Sequence, residues 1–258
     1  MKVRILGCGS AGGVPMISRG WGACDPNNPK NRRLRTSLMV RHNDKNILVD
    51  TGPDLREQLL QARVNTLEAV LYTHEHADHT HGLDDLREVN RVMEKGIPIY
   101  ANPTTLNLLK SRFGYAFQPI HVGKEPFFHP WLEPNLIIPG EAFRVAGLKI
   151  TPFAQDHEWT TSIGFRMKNF GYSTDVVHLY DSALSVLKGI DVWVVGCLSG
   201  KDHPSHASIN RVLEWVDILK PERTILTHMS IGMDYDELCR TLPKGVEPGY
   251  DGMEFEVS

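Results

Sequence analysis

The chain has 258 residues, 41% of them hydrophobic, which is enough for one large domain or two small ones with a packed core. Its 28 basic and 31 acidic residues leave a net charge of −3, which argues against a nucleic-acid coat or a membrane-surface protein. The sequence has no apolar run of about 18 residues and no signal-like N-terminal stretch, so we expect a cytoplasmic protein. Four widely spaced cysteines without a CxxC pair favour reduced thiols.

Apolar runs and amphipathic segments alternate along the first half of the chain. The run at 3–6 predicts a strand that leads into a glycine-rich loop at 7–15. Residues 38–40 and 47–49 predict two strands around a turn, and Pro53 predicts the first turn of a helix. Further predicted elements are a buried strand at 69–73, a helix with apolar residues between 83 and 93, a strand at 97–100 and a helix after Asn102.

The second half of the chain is richer in strands. Residues 114–135 contain many proline and aromatic residues, and we interpret them as a lid or insertion over the site. Strands are then predicted at 136–138, 143–145, 148–153, 162–167, 170–174, 190–195 and 224–227, and helices at 180–187 and 208–219. Two sets of strands interleaved with helices predict two sheets packed face to face. The expected fold is an α/β (α+β) four-layer αββα sandwich that forms a single domain over residues 1–258.

The six residues His74-Glu75-His76-Ala77-Asp78-His79 follow the predicted buried strand directly. In an extended backbone His74 and His76 point the same way, while Asp78 and His79 lie on the following turn. Imidazole and carboxylate groups suit zinc, manganese or iron. The loop can therefore offer two ligands to one metal ion and two to a neighbouring ion. The alternative is an exposed polar loop that happens to be rich in histidine.

Other candidate donors also follow predicted strands, namely Asp50, His157, Asp175 and His228. Side chains at the ends of several core strands converge on one edge of a sandwich, which places them rigidly. The number of ligands favours two divalent metal ions. The first ion would be held by His74, His76 and His157, the second by Asp78, His79 and His228, and Asp175 would bridge them. Asp50 is predicted to orient a ligand imidazole rather than to bind metal.

The HxHxDH pattern at 74–79 resembles the signature of the metallo-β-lactamase fold superfamily, and the spacing of the other candidate donors is similar to it. The resemblance covers nearly the whole chain and implies a metal-dependent hydrolase. Because the superfamily hosts many reactions, the fold does not name the substrate. Residues 6–15, 204–208 and 226–228 are similar to the PhnP-like phosphoribosyl 1,2-cyclic phosphodiesterase subgroup. That similarity implies that His206 assists catalysis beside the metals.

In one respect the chain departs from this subgroup. The subgroup often carries a structural zinc ion, held by cysteines near positions 20–26 and by a histidine three residues past the last metal histidine. Here Cys24 is the one cysteine in that stretch, and Ile231 occupies the histidine position. We therefore predict that this zinc site is absent.

The expected activity is that of a dinuclear-metal phosphodiesterase. Two ions about 3.5–4 Å apart can clamp the attacking and leaving oxygens of a phosphoryl displacement. The substrate would be a small cyclic phosphodiester of the phosphoribosyl cyclic phosphate type, or a nucleotide-like molecule. With an ordinary pKa of about 6.5, His206 could donate a hydrogen bond or a proton to it. Asp78 is the second predicted catalytic residue.

Candidate substrate contacts are Gly12, Gly13, Arg32, Arg35, Lys201 and His203. The glycines could bring backbone N–H groups close to an anion, or they could simply allow a tight turn. Arg32, Arg33 and Arg35 could grip a phosphate or form a solvated basic face.

Three other functions remain open at this point. They are a tRNA 3′-processing endonuclease, a cytosolic acyl or thioester hydrolase, and a non-catalytic metal- or nucleotide-binding accessory protein that resembles the PQQ synthesis B protein. The expected partner is a small phosphorylated substrate, with no membrane and no strong nucleic-acid signal. The aromatic tract 127–131 leaves a homodimer contact open.

Overall fold

The computed structural model describes residues 1–124 and 126–258, so Glu125 of the predicted lid lies outside the described part. Two mixed sheets lie face to face between outer helices, which confirms the predicted αββα sandwich. Within the described residues, no helix combines the length and the apolar character needed to cross a bilayer.

The strands and helices alternate through most of the chain. The strands are β1 (Lys2–Gly7), β2 (Ser37–His42), β3 (Lys45–Val49), β4 (Ala69–Leu71), β5 (Ile97–Ala101), β6 (Leu132–Leu136), β7 (Phe143–Val145), β8 (Leu148–His157), β9 (Thr160–Met167), β10 (Phe170–Ser173), β11 (His178–Leu179), β12 (Val192–Gly196), β13 (Arg223–Thr227), β14 (Val246–Pro248) and β15 (Glu254–Glu256). The helices are α1 (Leu55–Ala62), α2 (Ala77–Thr80), α3 (Leu86–Met93), α4 (Pro103–Arg112), α5 (Asp181–Leu187), α6 (Ile209–Leu219) and α7 (Tyr235–Thr241).

Each sheet contains a run of parallel strands. The first sheet has the order β15-β1-β2-β3-β4-β5-β6, and β3 to β6 are parallel. The second has the order β11-β8-β9-β10-β12-β13-β14, with β7 paired to β8, and β10, β12, β13 and β14 are parallel. Parallel strands covered on both faces read as continuous apolar runs, which explains why the strand around Val194 could be predicted.

The hydrophobic core lies in separate layers. Apolar side chains from both sheets, such as Ile5 and Phe165, meet in the central layer. A second cluster joins the outer face of the first sheet to α1, α3 and α4, where Leu55, Val89 and Leu109 are buried. Because the apolar residues are used in these layers, the polar residues that follow the strands are left at the edge of the sandwich.

Three polar residues within two positions of a strand end have left-handed backbone conformations. The φ angles are +64° at Asp50, +48° at Asp175 and +55° at His228. Residues other than glycine seldom adopt this region, and it turns the chain sharply as the strand ends. These turns bring the three side chains to the same edge of the sandwich.

Several element boundaries differ from the predictions. The sequence predicted that His157 lies in a loop after a strand at 148–153. In the structure β8 extends to His157, so this histidine is the last residue of the strand. The strand expected at 136–138 lies earlier, at Leu132–Leu136, because it pairs with β5 at the sheet edge. Within segment 114–135, Phe127 contacts α3, where Arg91 donates to its carbonyl oxygen at 2.7 Å. The lid role of this segment stays a prediction.

Candidate metal centre

Two groups of histidine and aspartate side chains meet at one edge of the sandwich. Within each group the candidate ligand atoms lie within 4.8 Å of one another. One group is His74, His76, His157 and Asp175, and the other is Asp78, His79, Asp175 and His228. The structure therefore brings together all seven side chains that the sequence suggested as ligands, in the predicted grouping.

Asp175 lies between the two groups. One of its carboxylate oxygens is 3.0 Å from His228 Nδ1 and 3.3 Å from His79 Nε2. The other oxygen is 3.6 Å from His157 Nε2 and 3.7 Å from His74 Nε2. Since each oxygen faces a different group, the carboxylate has the geometry of a bridge between two metal positions.

Three buried histidine nitrogens at the centre lack hydrogen-bond partners among the described residues. They are Nε2 of His74, Nε2 of His79 and Nδ1 of His228. Leaving a buried polar atom unpaired is costly, and few such atoms occur in native proteins. Metal coordination would satisfy all three, so the donor set fits divalent ions that accept nitrogen and oxygen ligands.

A layer of polar contacts orients these ligands. Asp50 accepts hydrogen bonds from the Thr73 backbone N–H and hydroxyl, both at 2.8 Å. Its carboxylate also lies 2.8 Å from His79 Nδ1, which is the orienting position predicted for it. His157 Nδ1 lies 2.7 Å from the Ser205 carbonyl oxygen. Such contacts fix the imidazole tautomer that leaves the other nitrogen free for metal.

The charges of the centre differ between the two groups. Burial lowers the pKa of His74 well below its ordinary value and also lowers that of His76. Burial acts in the same direction on His79, but Asp175, Asp78 and Asp50 together raise its pKa well above the ordinary range. The neutral imidazole is thus favoured at His74 and His76, whereas the neighbouring carboxylates favour the protonated imidazole at His79.

A cavity of about 120 Å³ opens over the donors. Apart from the donors, it is lined by Ala11, Trp159, Thr160, Ser205 and His206. A larger cavity of about 570 Å³ is lined by basic residues, including Arg144 and Lys149, and contains none of the donors. Cavity size therefore does not locate the candidate site, and the donor geometry does.

His206 lies beside both donor groups. Its ring centroid is 4.8 Å from that of His157 and 4.9 Å from that of His228, which it stacks on. Burial lowers the pKa of His206 to about 3, in contrast to the ordinary value expected from the sequence. His203, a predicted substrate contact, is exposed and does not line the cavity. Its Nδ1 is 3.2 Å from the Ser205 hydroxyl oxygen.

The structure supports the turn role of the glycine-rich loop, and its anion-binding role stays a prediction. The Gly13 N–H donates to the Ser10 carbonyl oxygen at 2.8 Å, and its φ of +64° requires glycine-like freedom, so Gly13 serves the turn. A Cβ atom on Gly12 would lie 2.4 Å from Met16 Cε. The N–H groups of Ala11 and Gly12 have no hydrogen-bond acceptor among the described residues, and Ala11 lines the cavity.

The predicted cationic contacts do not share one environment. Arg35 is half-buried, with Nε 3.1 Å from the Asp54 carboxylate. Arg32 is exposed and lies over the Trp21 ring, and Lys201 is exposed and does not line the cavity. Both roles considered for Arg33 are wrong, because its side chain is 1% exposed and is held by backbone carbonyl oxygens.

Arg33 instead joins the two segments in which the resemblance places a structural zinc. Its Nη2 donates to the Met233 carbonyl oxygen at 2.6 Å, and its Nη1 lies 3.8 Å from Cys24 Sγ. Cys24 Sγ lies 3.5 Å from the carbonyl oxygen of Ile231. Among the residues that the structure describes, Cys24 belongs to no group of three or more candidate metal ligands.

Among the residues of this edge that sequence reasoning missed are Thr73, Ser205 and Glu75. Thr73 could have been suspected, since it immediately precedes the histidine loop. Ser205 contributes a backbone carbonyl oxygen, which any residue type could supply. The Glu75 carboxylate accepts a 2.9 Å hydrogen bond from Thr160, a partner 85 residues away in the chain. No sequence signal identifies such a tertiary contact.

Comparisons with known proteins agree with this geometry. A family model described as "Beta-lactamase superfamily domain" matches residues 45–229. A solved structure of a diphosphatase from the PhnP family is 33% identical, with a TM-score of 0.90 over 100% of this chain and 98% of that chain. Zn²⁺-bound PqqB from Methylobacterium extorquens shares the fold at 18% identity, with a TM-score of 0.79 over 100% of both chains.

Curated relatives are longer than this chain. An octanoyltransferase of Porphyromonas gingivalis is 31% identical over 258 residues, which is 98% of this chain and 51% of that protein. The chain thus spans about half the length of the curated relatives it matches. The family match and the near-complete structural match lead to one conclusion: the chain belongs to the β-lactamase superfamily, has the metallo-β-lactamase fold and is similar to its PhnP-like members.

Proposed function

We propose that the protein is a metal-dependent hydrolase that cleaves a P–O bond in a small phosphodiester or diphosphate-containing substrate. The observation that carries the proposal is the Asp175 carboxylate, with one oxygen toward each donor group. The full-length similarity to a PhnP-family diphosphatase supports phosphoryl chemistry at this centre.

The metals would be held by the two donor groups that share Asp175. When bound, two divalent ions supply an activated water molecule and neutralise charge on the phosphoryl oxygens. Zinc and manganese suit the nitrogen and oxygen donors, and iron does so too. Asp50 holds His79 in place, and the Ser205 carbonyl oxygen holds His157, so the ligand rings keep one orientation.

The other residues of the cavity can act on the substrate directly. No hydrogen bond from a described residue reaches the ring nitrogens of His206, so its N–H can donate to a phosphoryl or leaving oxygen. The free N–H groups of Ala11 and Gly12 can donate hydrogen bonds to a second phosphoryl oxygen. Burial opposes ionisation of Asp78, but His79 holds the pKa of this carboxyl well below its usual range, so the group stays an anion that suits a divalent metal ion.

The size of the cavity favours a small substrate. About 120 Å³ of polar space can admit a phosphoryl group, while the rest of the substrate lies on the rim. A cyclic phosphodiester of the phosphoribosyl type or a nucleotide-like molecule meets this requirement.

One observation favours acyl hydrolysis as a second candidate. The relative that matches 98% of this chain is named for transfer of an octanoyl group, although the match covers half of that protein. Of the residues that line the cavity, Ala11 and Trp159 are apolar, whereas the rest are polar or charged. A long acyl chain would have little apolar surface to contact, so we rank this function second.

The test is hydrolysis of bis(p-nitrophenyl) phosphate, with p-nitrophenyl phosphate and an octanoyl thioester assayed beside it. The protein is stripped with a chelator and reloaded with Mn²⁺ or Zn²⁺. Diesterase activity that returns with metal supports the proposal. Thioester cleavage alone would move the assignment to the second candidate, and silence on all three substrates in protein that holds two metals would refute both.

A further inference from the structure

Trp159 stands on the rim of the cavity with most of its indole in water. Its exposed fraction is 85%, whereas Trp193 is fully buried and Trp215 is 4% exposed. Tryptophan is usually well buried on average, because its ring has the largest apolar surface of any side chain. This exposed indole lies beside the candidate metal donors, where it can contact a bound ligand.

The backbone beneath this indole is firmly held. His157 pairs with Thr160 across the hairpin of β8 and β9, so Trp159 is the second residue of a two-residue turn. The first residue, Glu158, has a φ of +60° and donates its N–H to the Asp156 carboxylate at 2.9 Å. The Thr160 hydroxyl donates to Glu75 at 2.9 Å, which ties the end of the turn to the histidine loop.

These contacts fix the backbone of Trp159 relative to the candidate metal donors. Residues on both sides of Trp159 are anchored, since His157 is itself a donor and Thr160 is bonded to the residue between His74 and His76. The cavity next to the indole is small and polar, so a substrate with its phosphoryl group in that cavity must place its remaining atoms on the rim. A flat apolar surface is available there.

We propose that Trp159 forms a subsite that stacks on the nucleobase of a nucleotide substrate or product. The inference rests on the proposed function for the phosphoryl part of the ligand and adds the class of its organic part. An aromatic side chain recognises any base by its π-face, which gives affinity with little base selectivity. The donor cavity holds the phosphate, and the indole holds the base beyond the sugar.

The experiment measures binding rather than turnover. Calorimetry on the Zn²⁺-loaded protein compares AMP with ribose 5-phosphate, which has the sugar and phosphate but no base. AMP should bind about 10-fold or more tightly than ribose 5-phosphate, since stacking of one base supplies an advantage of this order. Trp159→Ala should remove the advantage of AMP and leave ribose 5-phosphate binding unchanged, and Trp159→Phe should keep most of it.

Phe128→Ala is the matched control, because Phe128 is an exposed aromatic residue that does not line the cavity. Equal affinities for AMP and ribose 5-phosphate in the native protein, or no AMP binding at millimolar concentration, would overturn the subsite. So would an equal loss for both ligands in Trp159→Ala, which would indicate that the turn is merely structural. A change in molecular mass with no change in AMP affinity would instead place Trp159 in a contact between two copies of the chain.

The result is separable from the proposed function. If AMP binds through Trp159 but no phosphodiester is cleaved, the subsite stands and the hydrolase assignment fails. If phosphodiesters are cleaved but AMP and ribose 5-phosphate bind with equal affinity, the hydrolase assignment stands and the subsite fails.

Discussion

Two aspartates hold the two loops that border the cavity, and they do so in different ways. Asp50 binds the histidine loop through the backbone and hydroxyl of Thr73 and through His79. Asp251 binds the glycine-rich loop through the backbone N–H of Cys8 at 3.0 Å and also accepts the backbone N–H of Leu34 at 2.6 Å. Each carboxylate thus replaces a missing backbone partner at the end of a strand.

The difference lies in what else each carboxylate faces. Asp50 contacts an imidazole that can carry a positive charge and that is a candidate metal ligand. Asp251 contacts neutral donors, and burial raises its pKa to about 7, although the bonds from Leu34 and Cys8 and the charge of Arg33 oppose this rise. The comparison teaches that the same residue type can act on the chemistry in one loop and on backbone position alone in the other.

The largest effect on activity is expected at Asp175, which contacts His79 on the side opposite its contact with Asp50. Asp175→Ala removes a carboxylate that faces both donor groups, so at least one metal ion should be lost and phosphodiesterase activity should fall below detection. Metal content by elemental analysis and turnover on the diester check this. Asp44→Ala, at a highly exposed aspartate, is the control. Two bound metals and native activity in Asp175→Ala would contradict the bridging geometry.

The next effect separates chemistry from metal binding. His206→Ala should lower turnover by about 10²–10³-fold while two metals remain bound, because it removes a hydrogen-bond donor to a substrate oxygen and not a candidate metal ligand. His203→Ala is the matched control and should change turnover little. Unchanged turnover in a metal-replete His206→Ala protein would remove His206 from the mechanism.

Asp50→Asn tests whether Asp50 and Asp251 differ in their effect on the metal centre. Loss of the charge behind His79 should reduce metal affinity or activity by about 10–100-fold, the usual effect of removing a residue that orients a metal ligand. Competition with a chelator of known affinity measures the change. Asp251→Asn should leave metal affinity at the native value, and an equal loss in both variants would show that the two aspartates do not differ in role.

The smallest effect concerns stability and belongs to Asp251. Its pKa is about 7 in the folded protein and about 3.9 in an unfolded chain, so between these values the folded state keeps a proton that the unfolded state has lost. Stability therefore decreases as pH rises through this window, and the loss is complete above the folded pKa. In Asp251→Asn this contribution is absent.

The difference in Tm between about pH 5 and about pH 8 should accordingly shrink by a few degrees in Asp251→Asn, at ~2–4 °C for each kcal/mol. Thermal unfolding followed by circular dichroism at both pH values provides the measurement. The same pH dependence in the native protein and the variant would show that Asp251 does not titrate in this window.

The candidate metal ligands were more predictable from the sequence than the residues that hold the loops around them. His74, His76, Asp78 and His79 lie within six residues, so their spacing alone indicated a shared role, and the other donors could be recognised because each follows an apolar run. Asp251 gave no such signal. Its partner Cys8 is 243 positions away, and the two residues lie together where β15 pairs with β1.

The fold was predicted best where strands are central. The apolar run near Val194 could be recognised because β12 lies between two parallel strands and is buried on both faces of the sheet. Strands β14 and β15, of three residues each, were missed because so short a segment shows no period of its own. They exist through pairing at the sheet edges, as does β6, which was expected to begin later. Local sequence carries little information about such pairing.

The left-handed conformations at Asp50, Asp175 and His228 bear on how far this protein can be stabilised. A design procedure guided by backbone geometry alone would place glycine at all three positions, since an L-residue there costs roughly 1–2 kcal/mol. Each replacement would relax the backbone. It would also delete a candidate metal ligand, at Asp175 or His228, or the carboxylate of Asp50 that orients His79. Thermostability and activity are therefore in opposition at the ends of these strands. Stabilising substitutions that keep activity must be made elsewhere in the sandwich.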